Sequence, residues 1–253
     1  MITIKSSREI ALMKEAGKIL ANVFDVLEPL CVPGNSTKHL SDVAEKVIRD
    51  AGAIPAEKGY YGYPAAICAS VNDTVVHGIP SSYKLKEGDI ISIDIVVQYQ
   101  GYMADACRTF AVGKISEEAA KLIRVTEECF FEAMKVVKPG NHVGDISAAI
   151  QAHAEANGYS VSRDYTGHGL GRSMHEDPSV PNYGTPHTGP LLREGMTIAV
   201  EPIILQGRPE SRVLRDDWTA VTCDHKLAAH YENTLVITKD GYEITTLKEQ
   251  GEK

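Results

Sequence analysis

Apolar residues recur at helical spacing in four stretches of the chain, arranged as two pairs. Ser6-Ser7-Arg8-Glu9 can cap a helix whose apolar positions are Ile10, Met13, Ile19 and Val23, and Pro33-Gly34 is expected to break it. Ser36 or Thr37 can cap a second helix carrying Leu40, Val43 and Val47, ended by Gly52. A third helix is predicted from about Ser116 through Leu122, Val125 and Phe130 to Pro139-Gly140. A fourth carries Val143, Ile146 and Ile150 to Gly158. After each pair the pattern changes to runs rich in Ile and Val. The clearest is I-I-S-I-D-I-V-V-Q-Y (90–99), followed by a turn at Gln100-Gly101 and a return strand Y-M-A-D-A-C-R-T-F.

The two pairs are related. V-P-G-N at 32–35 matches K-P-G-N at 138–141, and L-K-E-G-D-I-I-S-I-D (85–94) mirrors L-R-E-G-M-T-I-A-V-E (192–201), at an offset of 106–107 residues. One matching segment arises easily by chance; the same offset held across two does not. Helix pairs leading twice into β-rich segments imply an α/β (α+β) domain spanning 1–253, built of two pseudo-symmetric halves, about 1–113 and 114–253. A site at their seam would draw acidic residues from both, because Asp94 and Glu201 occupy equivalent positions.

Composition narrows the class. With 43% hydrophobic and 24% charged residues, the 253-residue chain has the balance of a soluble globular protein. No apolar stretch approaches the ~20 residues of a membrane span, and the N-terminus lacks the apolar core of a secretory signal. Five cysteines without a CxxC pair argue against a disulfide framework or a thiolate zinc site and fit a reducing cytoplasm. A net charge of -8 with no long basic run argues against nucleic-acid binding.

That negative charge includes acids in unusual places. Asp94 stands inside an apolar run, and the hairpin brings Asp105 nearly opposite it, with a bulge expected because the turn leaves the two slightly out of register. Adjacent carboxylates on a β-ribbon repel, and a buried carboxylate needs a cation or dense hydrogen bonding. Glu201 in T-I-A-V-E-P-I-I-L and Glu232 in H-Y-E-N-T-L-V-I pose the same problem. His168 lies between glycines in Y-T-G-H-G-L-G, where a loop can approach other backbone closely. By itself this would be a Gly-rich turn with an incidental imidazole. Together with four embedded acids it makes a hard, oxygen-rich set suited to two divalent ions. Such ions, ~3.5–4 Å apart, can share a hydroxide and clamp a tetrahedral intermediate. His77 in V-V-H-G-I-P and His175 in M-H-E-D-P are further candidate donors.

These segments closely resemble the bacterial type I methionine aminopeptidases, within the wider pita-bread metallopeptidase fold. The resemblance runs from the first helix to about residue 247. It rests on G-Y-x-G-Y-P at 59–64, V-N-D-T-V-V-H-G-I-P at 71–80, the Asp94/Asp105 ribbon, G-H-G-L-G, H-E-D-P, V-E-P and Y-E-N-T in this order and spacing. It implies two pseudo-symmetric halves around a central curved antiparallel sheet, and a dinuclear centre held by Asp94, Asp105, His168, Glu201 and Glu232. Asp94 would chelate one ion, Asp105 and Glu232 would bridge both, and His168 and Glu201 would complete the other. The resemblance also makes Glu201 the general base toward a bridging hydroxide, His175 a donor to the developing oxyanion, and His77 a contact near the scissile amide. Tyr60, Tyr63, Cys68 and Trp218 would line a methionine pocket, with Met174 where several relatives carry an aromatic residue. Glu57 falls where relatives present an apolar or sulfur side chain, and is expected to turn to solvent.

The implied activity is removal of initiator methionine from nascent proteins, in the cytoplasm near the ribosome, by a monomer, when the second residue is small. Co²⁺, Mn²⁺, Fe²⁺ and Zn²⁺ all suit these ligands, and a monovalent cation site of backbone carbonyls is permitted near Asn72 and Thr74. The rival readings are another pita-bread peptidase of the prolidase kind, which carries a large extra N-terminal domain, and a non-catalytic peptide-binding protein that has lost its ligands. Asp94 comes too early for the first, and all five ligands argue against the second. The type II methionine aminopeptidases are set aside because no long insertion separates Glu201 from Glu232.

Overall fold

Among the described residues, four α-helices form where the apolar periodicity places them: α1 (Ser7–Leu27), α2 (Thr37–Asp50), α3 (Glu117–Met134) and α4 (Val143–Ala156). Ser6 caps α1 in a reciprocal capping box with Glu9, and Ser36 and Ser116 cap α2 and α3. Two helices end before the expected breakers. α1 gives way at Glu28–Leu30 to a short 3₁₀ turn containing Pro29, which has no N–H to continue the ladder, and α3 ends at Met134. The computed structural model describes residues 1–247, so the expected domain limit at 253 lies outside the described residues.

Among the described residues there are fifteen strands. In the first half they are β1 (Ile54–Pro55), β2 (Cys68–Val71), β3 (Thr74–Val76), β4 (Ile90–Tyr99) and β5 (Tyr102–Ala111). In the second half, β6 (Ser160–Val161), β7 (Gly167–Gly169), β8 (Glu176–Val180), β9 (Thr197–Val200) and β10 (Ile203–Leu205) precede β11 (Ser211–Val213), β12 (Ala220–Thr222), β13 (Ala228–His230), β14 (Asn233–Ile237) and β15 (Tyr242–Ile244). All pairings among the described residues are antiparallel. β4 pairs with β1, β2 and β5, and a second sheet runs β15-β14-β9-β7-β8. Smaller ladders are β13-β10-β6 and β11-β12-β3. The ladder is interrupted at Glu201-Pro202, where proline cannot donate, and again at Tyr231-Glu232.

Equivalent bonds recur at the offset of the sequence motifs. Gly34 N donates to Leu85 O (2.8 Å) and Leu85 N to Asn35 O (2.8 Å); Gly140 N donates to Leu192 O (3.1 Å) and Leu192 N to Asn141 O (2.8 Å). The Asn35 and Asn141 amides close the matching turns onto Leu30 O and Val136 O. Pro55 pairs with Val97 as Val161 pairs with Ile204.

Strand alternation sorts the two faces. Ile91, Ile93, Ile95 and Val97 of β4 pack with Leu20, Phe24, Leu40 and Ile48 of α1 and α2. Ile198, Val200 and Leu235 pack likewise with Leu122, Phe130, Ile146 and Ile150 of α3 and α4. The helices thus cover one face, and the intervening positions, Asp94 and Asp105 among them, point away from these cores.

Candidate metal centre

The Asp94/Asp105 ribbon is regular. Gln100 (φ 47°) and Gly101 (φ 83°) make a two-residue turn with both residues left-handed, so Tyr99 faces Tyr102, Asp94 faces Cys107 and Asp105 faces Val96. The expected bulge is absent. The two acids are diagonal neighbours on one face, which brings their carboxylates together without a distortion of the ladder.

His168 lies in strand β7 rather than in a loop. A Cβ on Gly167 would come within 2.4 Å of Ala199 O, and one on Gly169 within 2.1 Å of Asp177 O, so only glycine lets the flanking strands close on β7. His168 Nδ1 lies 2.9 Å from Gly169 O. A carbonyl only accepts, so Nδ1 carries the proton and Nε2 presents its lone pair. That atom is 3.6 Å from Asp105 Oδ2 and 3.7 Å from Glu201 Oε1.

Glu232 is fixed by main-chain bonds across the seam between the halves: its N–H donates to Cys107 O (3.0 Å), and Cys107 N donates back at 3.4 Å. Elsewhere along this seam side chains replace the ladder. Asp105 N donates to Thr234 Oγ1 (2.9 Å), and that hydroxyl donates to Asp105 O (2.9 Å). Half-buried Arg108 donates to Glu232 O and to Asn233 Oδ1 (2.6 Å), and stacks 4.4 Å from the Tyr231 ring.

Asp94, Asp105, His168, Glu201 and Glu232 converge on one cavity. Burial, reinforced by the neighbouring acids, raises the carboxyls of Asp105, Glu201 and Glu232 well above their ordinary range, and burial raises Asp94 too. Four such groups cannot all ionise side by side without cations. Asp94 Oδ1, Asp105 Oδ1 and Glu232 Oε1 are buried with no hydrogen-bond partner, which is what a set of metal ligands looks like before its ion. The residues fit divalent metal. Asp105, His168 and Glu232 offer one cluster of ligand atoms within 4.8 Å of one another; Asp94, His230 and Glu232 offer another.

His230 has no counterpart among the expected site residues. It is 2% exposed, and its Nε2 lies 3.5 Å from Glu232 Oε2 and 3.8 Å from Glu201 Oε2. Its signal in the sequence was its place two residues before Glu232.

The remaining expected residues surround the same cavity. His77, at the left-handed position after β3 (φ 57°), has its ring 5.4 Å from Tyr165 and 6.2 Å from Trp218. Burial, then the nearby His175, lowers its pKa to about 4. His175 is the exposed member, its Nδ1 2.8 Å from Tyr60 Oη and its ring 4.3 Å from His168. Tyr63, Cys68 and Met174 are buried, and the Tyr63 and Trp218 rings meet edge-on at 5.1 Å. Glu57 does not turn to solvent. It is 6% exposed and takes a hydrogen bond from Cys68 Sγ (3.2 Å), while its Oε2 is unpartnered. Burial and then Asp94 push its carboxyl well upward, which favours the neutral acid in this wall.

The chain matches metallopeptidase family M24 over residues 11–239. A methionine aminopeptidase of Clostridium perfringens is 52% identical over 247 residues, covering 98% of this chain and 99% of that one. The chain belongs to family M24, among the bacterial methionine aminopeptidases. The crystal structure of the methionine aminopeptidase from Thermotoga maritima superposes with a TM-score of 0.96 at 46% identity, covering 98% of this chain and all of that one. A prolidase from Pyrococcus furiosus shares the fold alone, at a TM-score of 0.79 and 22% identity, and this chain covers 66% of its length. The M24 peptidase therefore has the pita-bread fold, and its family implies divalent metal. No helix among its described residues is long and apolar enough to cross a membrane.

Proposed function

We propose that this chain removes the initiator methionine from nascent proteins whose second residue is small, acting in the cytoplasm as a monomer near the ribosome. The catalytic unit is a single domain of two pseudo-symmetric halves, and Asp94, Asp105, His168, Glu201 and Glu232 hold two divalent ions at their seam. The observation that carries this reading is the cluster of four carboxylates, three of them with a buried, orphaned oxygen, opening on a cavity walled by Tyr60, Tyr63, Cys68, Met174 and Trp218. Aromatic rings and sulfur make a soft, polarisable wall suited to a thioether.

When bound, the ions supply Lewis acidity and lower the pKa of water. Glu201 receives the proton of the attacking water. Neutral His175 donates to the oxygen of the scissile carbonyl as charge develops there, and neutral His77 orients the substrate near the same amide. A bulky second residue would crowd the carbonyl, and displacement by ~1 Å costs ~10²-fold where positioning carries the rate.

The test is hydrolysis of Met-Gly peptides against Ala-, Leu- and Xaa-Pro peptides, by protein stripped with chelator and reloaded with Mn²⁺, Fe²⁺, Co²⁺ or Zn²⁺. Activity on Met-Gly restored by metal is the expected result. Full turnover by the stripped protein, or preference for Xaa-Pro, would end this reading.

A further inference from the structure

His230 is placed as firmly as the five ligands around it. Its N–H donates to Thr109 Oγ1 (3.0 Å), and that hydroxyl donates to its carbonyl (2.8 Å), so its backbone is pinned to β5 from both polar groups. Thr109 in turn contacts Ser92 of β4 at 2.8 Å. The ring points into the acidic cluster, where Nε2 is buried and has no hydrogen-bond partner. Its distances of 3.5 Å to Glu232 and 3.8 Å to Glu201 are too long for N–H···O bonds. The shorter of the two, to Glu232, suits a different relation. Two donors each ~2.0–2.2 Å from one ion, at ordinary coordination angles, lie about 3–3.6 Å apart.

The two clusters share Glu232, and each contains one aspartate and one histidine: Asp105 with His168, and Asp94 with His230. We propose that His230 is a sixth ligand of the centre, binding through Nε2 the ion chelated by Asp94, so that each of the two ions receives one imidazole. This rests on the dinuclear reading above. Nitrogen in an otherwise all-oxygen site favours Co²⁺ and Zn²⁺ over Mn²⁺ at that position.

The experiment uses the full chain, stripped of metal and titrated with Co²⁺, beside a His230→Gln variant. Calorimetry should show two binding events in the parent and one of them weakened on the order of 10²-fold in the variant, since losing even an outer partner of a ligand costs ~10–100-fold in affinity. Proton NMR of the Co²⁺-loaded parent should show two strongly shifted, exchangeable imidazole N–H resonances, and the variant should keep one. That count needs no substitution, so it decides the matter even where the variant does not fold. Two bound ions with a single such resonance, or unchanged affinities in the variant, would overturn the sixth ligand and leave the dinuclear reading standing. Uptake of one ion by the parent would overturn the dinuclear reading, and this proposal with it.

Discussion

His175 differs from the other imidazoles of the site in being exposed and in touching Tyr60. The surrounding protein still screens part of its ring from water, which lowers its pKa from the ordinary imidazole value and favours the neutral form. Where Tyr60 donates to Nδ1, the ring proton sits on Nε2, leaving that atom as a donor to substrate. His175→Ala is expected to lower kcat by on the order of 10²–10³, the usual loss for one oxyanion donor, with metal content unchanged by elemental analysis. Loss of metal on substitution would make His175 a ligand instead. Glu57 shows the limit of reading one residue at a time. A charged residue is rarely fully buried, so its sequence position argued for solvent. Only the neighbouring Cys68 and Asp94, brought beside it by β2 and β4, reveal it as a neutral buried acid.

The elements that were legible are those with a strong period or a strong stop signal. All four helices announced themselves through apolar spacing, and three through Ser caps; the β4–β5 hairpin showed in its Ile/Val run and Gln100-Gly101 turn. Four ligand candidates were visible because acids inside apolar strands demand explanation, and His168 drew notice only in their company. β7 was not, because glycines on both sides of His168 look like a turn; what makes it a strand is the backbone on each flank, which no local pattern encodes. His230 was hidden for a related reason, since one imidazole at the end of a short apolar strand is ordinary until Glu201 and Glu232 are seen beside it. The seam between β5 and β14 was equally hidden, because its bonds run through the Thr234 hydroxyl, which joins residues 129 apart. Thr234→Val keeps the shape, deletes that donor and acceptor, and strands a buried Asp105 amide. It is expected to destabilise the protein by about 1–3 kcal/mol, measured as a lower urea midpoint at unchanged m-value. An unchanged midpoint would mean the seam is held elsewhere.

At the scale of the whole molecule, the centre links stability to pH. Burial holds Asp105, Glu201 and Glu232 well above their ordinary values of 3.8 and 4.5, and holds His77, His168 and His230 below 6.5. Below pH 6.5 the unfolded imidazoles take up protons that the folded ones refuse, which lowers stability as pH falls. Above 6.5 the histidines drop out. The folded carboxyls then retain protons that the unfolded chain has lost, so stability falls as pH rises. Metal-free protein should therefore lose Tm from pH 6.5 to 8, while saturating divalent metal, taking the place of those protons, flattens the loss. Thermal unfolding with and without chelator checks this, and a Tm that climbs over that window in metal-free protein would contradict it. The seam has a consequence for the timing of ion uptake as well. Asp105 and Glu232 come from opposite halves, yet Thr234 and Cys107 fix the main chain of each. On the proposed ligand set, an arriving ion would meet main chain already hydrogen-bonded on both sides, so the slow step would pass to the ion itself and to how fast it sheds its hydration water. Mg²⁺, which dehydrates reluctantly, would then be held back at the threshold by kinetics, whatever its equilibrium affinity.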